Sequence, residues 1–285
     1  MLIMVGVRIG EGTTEIVILG HGLTLSETIE LSPGIRLEPT VPSIDLNAAS
    51  SSSDTLVDYL MAVAATRLAN FCLRVTGETG RELVTKAWNA LWLFHLLSLA
   101  CSTPCFSLCV VANGKSEKYT AANRNVILTP LPVIAQASSE QIAWAKANLE
   151  KFEELVGNEA FSSAMRCYSN AHYLFDLDTR VMLLWAGIEG LLRVEAELSR
   201  RVALYAALLH PGTPQEKGIY FNDVKKAYAI RSSAVHGGKP NQAKLKAGYE
   251  SASKILLGLL VRCVELGRVP ASSELDMLAV AQNLR

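Results

Sequence analysis

The stretch Tyr228-Ala-Ile-Arg231-Ser232-Ser-Ala-Val-His236-Gly237-Gly238 reads as the end of a helix stopped by two glycines, with Pro240 just beyond. It carries a permanent cation and a titratable imidazole five positions apart. That spacing corresponds to about 140° of rotation and about 7.5 Å of rise, so the two side chains lie on adjacent flanks. They face one cleft only where the helix loosens at its end. A cation that stabilises a phosphate and a group that moves a proton suffice, in principle, to cut RNA without a metal.

Working outward, the surrounding sequence is a set of long helices. Ser138-Ser-Glu-Gln141 opens the first, with Ile142, Ala145, Leu149, Phe152 and Leu155 on one stripe up to Gly157. Phe161 to Leu174 forms a second. Asp176 or Asp178 opens a third, expected to run on through Ser199-Arg-Arg to Leu209. Phe221 to His236, Gln242 to Leu266 and a tail from Ser273 to Asn283 complete the set. Four principal antiparallel helices make a bundle.

The first half has another texture. Leu2 to Ile9 and Thr14 to Leu19 are β-rich runs joined by Gly10-Glu-Gly12, expected as a hairpin. Prolines 33, 39 and 42 reduce the segment beyond Leu31 to edge strand or coil. Asn47 to Asp54 is a polar loop capping, at Ser53 or Asp54, a helix whose stripe continues through Phe71 and Cys72 to Gly77. Thr79 begins another helix, Phe106 to Val111 a strand, and Val126-Ile-Leu128 one more. The expected fold is therefore an α+β domain with a small sheet, residues 1–133, followed by a helical bundle, residues 134–285, and mainly α overall.

Half of the 285 residues are hydrophobic, and 27 basic residues balance 27 acidic ones. Zero net charge excludes a molecule that is a cationic glove for nucleic acid as a whole. Between Pro214 and Lys246, however, seven cations face two anions, a local excess suited to a phosphate backbone, with Lys225, Lys226 and Lys239 as the candidate RNA contacts. A solvated helix face is the other use of such lysines. The start of the chain lacks a signal-peptide pattern, and the six cysteines sit inside apolar segments, so a reducing, cytoplasmic location is expected. Trp88 to Ala112 carries no charge and is long enough to cross a bilayer. Its polar residues and Pro104 make a buried helix followed by a buried strand the expected outcome, with no membrane association.

The resemblance carried by these residues is to the HEPN superfamily. Tyr228-x-x-Arg231-Ser232-x-x-Val235-His236-Gly237 resembles its R-x4-6-H motif, in particular the "YxxRSxxVHG" of the ApeA-like branch. Trp185-Ala-Gly-Ile-Glu189-Gly-Leu-Leu192 resembles the "ALExLL" segment of that branch, and Arg201 to Leu209 its following helix. Similar families are four-helix bundles, many of them metal-independent endoribonucleases of toxin–antitoxin or antiphage systems, with two Arg–His pairs lining a dimer cleft. The resemblance implies RNA as substrate, a homodimer through the bundle, an antitoxin or regulatory partner, and a sensing or restraining role for the first half. By the same resemblance Arg231 would stabilise the scissile phosphate and His236 would act as general acid or base. Ser232 stands where a longer polar residue is common. Glu189 would orient Arg231 or His236, or else pair with Arg193 or Arg200. Tyr228 stacks on a base or fills the bundle. The alternative is a non-catalytic RNA-binding or protein-interaction module of the same fold.

Other candidates read more simply. Cys101, Cys105 and Cys109 have helical spacing, but Pro104 breaks it, so they are expected as buried apolar groups. His95 and His172 are expected in the core. Gly237-Gly-Lys239 lacks P-loop spacing. No metal and no cofactor is expected.

Overall fold

The structure, a computed structural model, describes residues 7–114, 117–122, 134–174, 176–194, 196–235 and 241–282. The chain packs as two compact units that divide between Leu149 and Glu150. The sequence reading places the division at residue 133, where helical texture begins. Packing decides otherwise, because the helix Ser139–Ala147 rests on the long helix of the first unit.

The first unit is built on a six-stranded sheet. Its strands are β1 (Glu15–His21), β3 (Ile29–Ser32), β4 (Ile35–Glu38), β5 (Phe71–Thr76), β6 (Phe106–Asn113) and β7 (Lys118–Ala121), in the order β3-β4-β5-β1-β6-β7. Every neighbouring pair is antiparallel. Two-residue β2 (Leu23–Thr24) pairs in parallel with β8 (Ala135–Gln136). The helices are α1 (Leu46–Ser52), α2 (Leu56–Leu68), α3 (Gly80–Ala100) and α4 (Ser139–Ala147). From Ile16 to His21 β1 is buried without interruption. Successive side chains of a strand point to opposite faces, so both faces of β1 are covered, and α2 and α3 are the helices that pack on it.

Several sequence expectations change here. The hairpin across Gly10-Glu-Gly12 does not form over the described residues. Val7 to Gly10 are not in a strand, and β1 has β5 on one edge and β6 on the other, leaving no edge for a hairpin partner. Pro33 does not end the sheet. Ser32-Pro33-Gly34-Ile35 is the turn between β3 and β4, with Gly34 at φ 78°, where a Cβ would be strained. Phe71 to Thr76, read as the continuation of a helix, is the strand β5. The polar run 47–54 is largely the helix α1, capped by Asp45, and α2 is capped by Thr55 rather than by Ser53 or Asp54. The expected strand Val126–Leu128 lies outside the described residues. Thr79 caps α3, and Ser138 with Gln141 forms the capping box of α4.

One buried carboxylate fastens the outer edge of the sheet. Asp58 in the first turn of α2 accepts the Ala121 backbone N–H at 2.8 Å and the Thr55 hydroxyl at 2.6 Å, so α2 is tied to the last strand, β7. A satisfied group there removes an N–H from the exposed strand edge.

The second unit contains α5 (Leu149–Val156), which starts at the division, then α6 (Glu159–Ala171), α7 (Leu177–Leu192), α8 (Leu198–Leu209), α9 (Pro214–Val235), α10 (Gln242–Leu266) and α11 (Ser272–Gln282). Among them α7 is central, packing on α6, α8, α9 and α10. Its Trp185 and Ile188 are fully buried. The expected continuous helix to Leu209 is broken. Arg193 takes the left-handed conformation as the C-cap of α7, and Glu197 does so before α8. A break at Asn148 likewise separates α4 from α5. Overall the chain is mainly α, with α+β confined to the first part.

Candidate functional site

The site is built where the C-terminal parts of α7 and α9 meet. Glu189 is in the last turn of α7, four residues after Trp185, and Arg231 is one turn before the end of α9. Residues four apart share a helix face, so Trp185 and Glu189 face α9 together. Arg231 Nη2 lies 3.3 Å from Glu189 and donates to its Oε2. Both side chains are about one-fifth exposed, 20% and 18%, so water screens the pair only in part. Of the partners open to Glu189 in sequence, Arg231 is the one it holds.

Tyr228, three residues before Arg231, forms the floor. Its ring centroid is 5.4 Å from the Arg231 guanidinium carbon, a cation–π contact, and its edge meets the Trp185 ring at 5.1 Å and 82°. Tyr228 is 8% exposed, which agrees with a bundle-filling role. Burial raises its hydroxyl pKa above the ordinary value, and the neighbouring Glu189 carboxylate adds to the rise while Arg231 opposes it. The hydroxyl is therefore a proton-bearing donor at neutral pH. Trp185, Tyr228, Arg231 and Glu189 thus form one continuous stack from the core to the surface. In the sequence Trp185 stands out only as part of a motif. Its spacing of four from Glu189 is the signal that would have placed it behind the arginine.

The cluster retains unused hydrogen-bonding capacity. Glu189 Oε1, Arg231 Nε and Trp185 Nε1 are buried and make no hydrogen bond among the described residues. Buried polar groups in that condition are uncommon in folded proteins and concentrate at functional positions.

The remaining candidates divide. Ser232 is partly buried beside Arg231 and makes no hydrogen bond among the described residues. Lys225 is exposed, with its ammonium 5.6 Å from the Phe221 ring centroid. Lys226 is exposed but pairs with Asp223 at 3.1 Å, which offsets its charge. His236 and Lys239 lie outside the described residues, as do Gly237, Gly238 and Pro240. Both helices end at this site, so their carbonyl termini favour a cation there. Arg231 is well placed in that field, and Glu189 is stabilised by Arg231 rather than by the helix ends.

Elsewhere, Cys101 ends α3, Cys105 follows Pro104 and Cys109 is in β6, all buried. Burial pushes the thiols up, to about 11 for Cys101 and about 12 for Cys109, so they are protonated and inert. His172 caps the C-terminus of α6 and is buried against Tyr173. No helix among the described residues is long and apolar enough to cross a membrane. The apolar stretch 88–112 is instead spent on α3 and β6.

His95, on α3 with its ring 5.3 Å from that of Trp92, has a testable consequence. Burial lowers its pKa from the ordinary 6.5 to about 4. The unfolded chain binds this proton more readily than the folded one, so stability is complete above pH 6.5 and falls as the pH drops toward 4. The loss should approach about 3 kcal/mol at the acid end. Chemical denaturation between pH 7 and pH 4 should show a slope that His95→Phe flattens, and equal slopes in both proteins would refute the assignment.

Comparison of the chain with protein-family models, curated proteins and solved structures gives no match.

Proposed function

We propose that the second unit is a metal-independent endoribonuclease of HEPN type with Arg231 and His236 as its catalytic pair. The observation that carries this reading is the placement of Arg231. A half-buried guanidinium is held by Glu189 from the neighbouring helix and supported from below by Tyr228, with a donor still unused. A cation so oriented meets a phosphoryl oxygen without first reorganising. His236 is the next residue but four along the chain.

The chemistry is transesterification. The ribose 2′-oxygen attacks the adjacent phosphorus while its proton passes to a base. The 5′-oxygen leaves with a proton from an acid, and a 2′,3′-cyclic phosphate remains. Arg231 stabilises the added charge on the non-bridging oxygens, and His236 serves in proton transfer, its imidazole able to change charge near neutral pH. Lys225 adds attraction for the RNA backbone. A role in antiphage defence, as a toxin restrained by an antitoxin, or in stress response belongs to the same proposal, with the first unit as sensor or restraint.

A second reading, a non-catalytic RNA-binding or interaction module, is favoured by one observation. The Glu189 carboxylate cancels the charge of Arg231, so the pair by itself attracts no phosphate. Cleavage of RNA in EDTA with end-group analysis separates the two readings. Cyclic phosphate termini that disappear in His236→Ala support the nuclease. RNA retention without cleavage supports the module.

Glu189→Gln tests the positioning role. It removes one negative charge beside Arg231 while keeping the shape. RNA affinity should rise and kcat should fall about tenfold as the guanidinium loses its anchor. A simple structural role would lower melting temperature with kcat and KM unchanged.

A further inference from the structure

A groove of about 400 Å³ lies between α6 and α7, on the flank of α7 next to the one that carries Glu189. Glu159, Ser163 and Arg166 border it on α6, and Ala186 and Gly190 on α7. The outward strip of α7 through Met182, Ala186 and Gly190 is exposed and carries no charge. A helix face that meets only water is ordinarily polar. Gly190 adds a second observation. Glycine inside a helix costs about 1 kcal/mol relative to alanine. At Gly187 the cost has an internal reason, since a Cβ would lie 2.8 Å from Cys167 Cβ, whereas a Cβ at Gly190 would meet nothing within 4 Å. Gly218 and Gly258 are equally open, but neither borders this groove. Nothing within the subunit requires a glycine at 190.

We propose that the groove is a self-complementary interface in which a second copy of the chain seats its own α6–α7 groove. Small residues on both helices let the two surfaces approach closely. The charges fit the symmetry. Glu159 and Arg166 are seven positions apart on α6, about 10.5 Å along its axis. A twofold axis near Ser163 sets each Glu159 against the partner's Arg166 and each Arg166 against the partner's Glu159. Neither residue makes an ion pair within its own subunit among the described residues. Glu189 follows Ile188 and precedes Gly190, rotated by about 100° from it, so the second copy lies along the rim of the Arg231 site. Only this last consequence rests on the endoribonuclease reading; the pairing itself is measured by mass.

Sedimentation of the full-length chain decides it. The wild type is expected to be a dimer. Gly190→Glu should be a monomer with its helical circular dichroism intact, because the new side chain has open space in the free subunit. Glu159→Arg and Arg166→Glu should each weaken association about tenfold or more, and the double variant should recover it. A monomeric wild type, a dimer unmoved by Gly190→Glu, or charge reversals that fail to compensate would each overturn the interface. Should Gly190→Glu fail to fold, the charge reversals still decide. A dimer that behaves as expected yet cleaves no RNA would leave the interface standing and remove the nuclease.

Discussion

Arg231→Ala should cut single-turnover RNA cleavage by about 10²–10³, the usual effect of deleting one preorganised donor to a charged transition state. The same change strips Glu189 of its ion-pair partner. A partly buried carboxylate left without its cation costs about 1–3 kcal/mol, so melting temperature should fall as well. Arg231→Lys separates the two effects. Lysine restores a positive charge near Glu189 but not the planar fork, so stability should return further than activity does. The check is a cleavage time course in EDTA for the three proteins, with sedimentation and melting on the same samples. Cleavage that survives in folded Arg231→Ala would remove Arg231 from the mechanism.

Trp185→Ala should be the most damaging single change in the second unit. The indole is fully buried at the centre of α7 and supports Tyr228 edge-on at 5.1 Å. Removing a large aromatic from a core costs about 3–5 kcal/mol. For a unit of this size that lowers Tm by roughly 10–20 °C. Trp185 Nε1 makes no hydrogen bond among the described residues, so Trp185→Phe sacrifices packing volume but no polar contact. Phenylalanine should therefore retain most of the stability. If the stack transmits order to the surface, Trp185→Ala measured well below its Tm should also show slower cleavage than Trp185→Phe. Equal rates would mean that Arg231 is held by Glu189 alone.

The sequence is most legible where local signals and packing agree. The helix Gln242–Leu266 is read with its true ends because Asn241 caps it and Gly267 stops it at φ 67°. Phe106 to Asn113 is read as a strand from its unbroken apolar run. Errors cluster where pairing is distant. Leu68, Phe71 and Cys72 continue the helical period of α2, and a strand buried on both faces shows no alternation to contradict it. The hairpin expected for β1 assumes a neighbour in sequence, whereas its real neighbours are about 50 and 90 residues away. At the candidate site, the distance of 42 positions between Glu189 and Arg231 is invisible to periodicity. Only a resemblance between segments brings the two together. The interruption at Arg193 has no warning residue, since an arginine gives no sequence cue for a left-handed cap.

The place of β1 also sets an order of events. It is the first strand described, yet it lies fourth in the sheet, between two strands that come much later in the chain. During synthesis it leaves the ribosome with neither edge covered. It gains one neighbour when Thr76 has emerged and the other only after Asn113. Until then a run of apolar residues from Ile16 to Leu19 is available to other chains. The first unit should therefore be the part of this protein that most needs a chaperone, whereas the helices of the second unit draw on contacts closer in sequence.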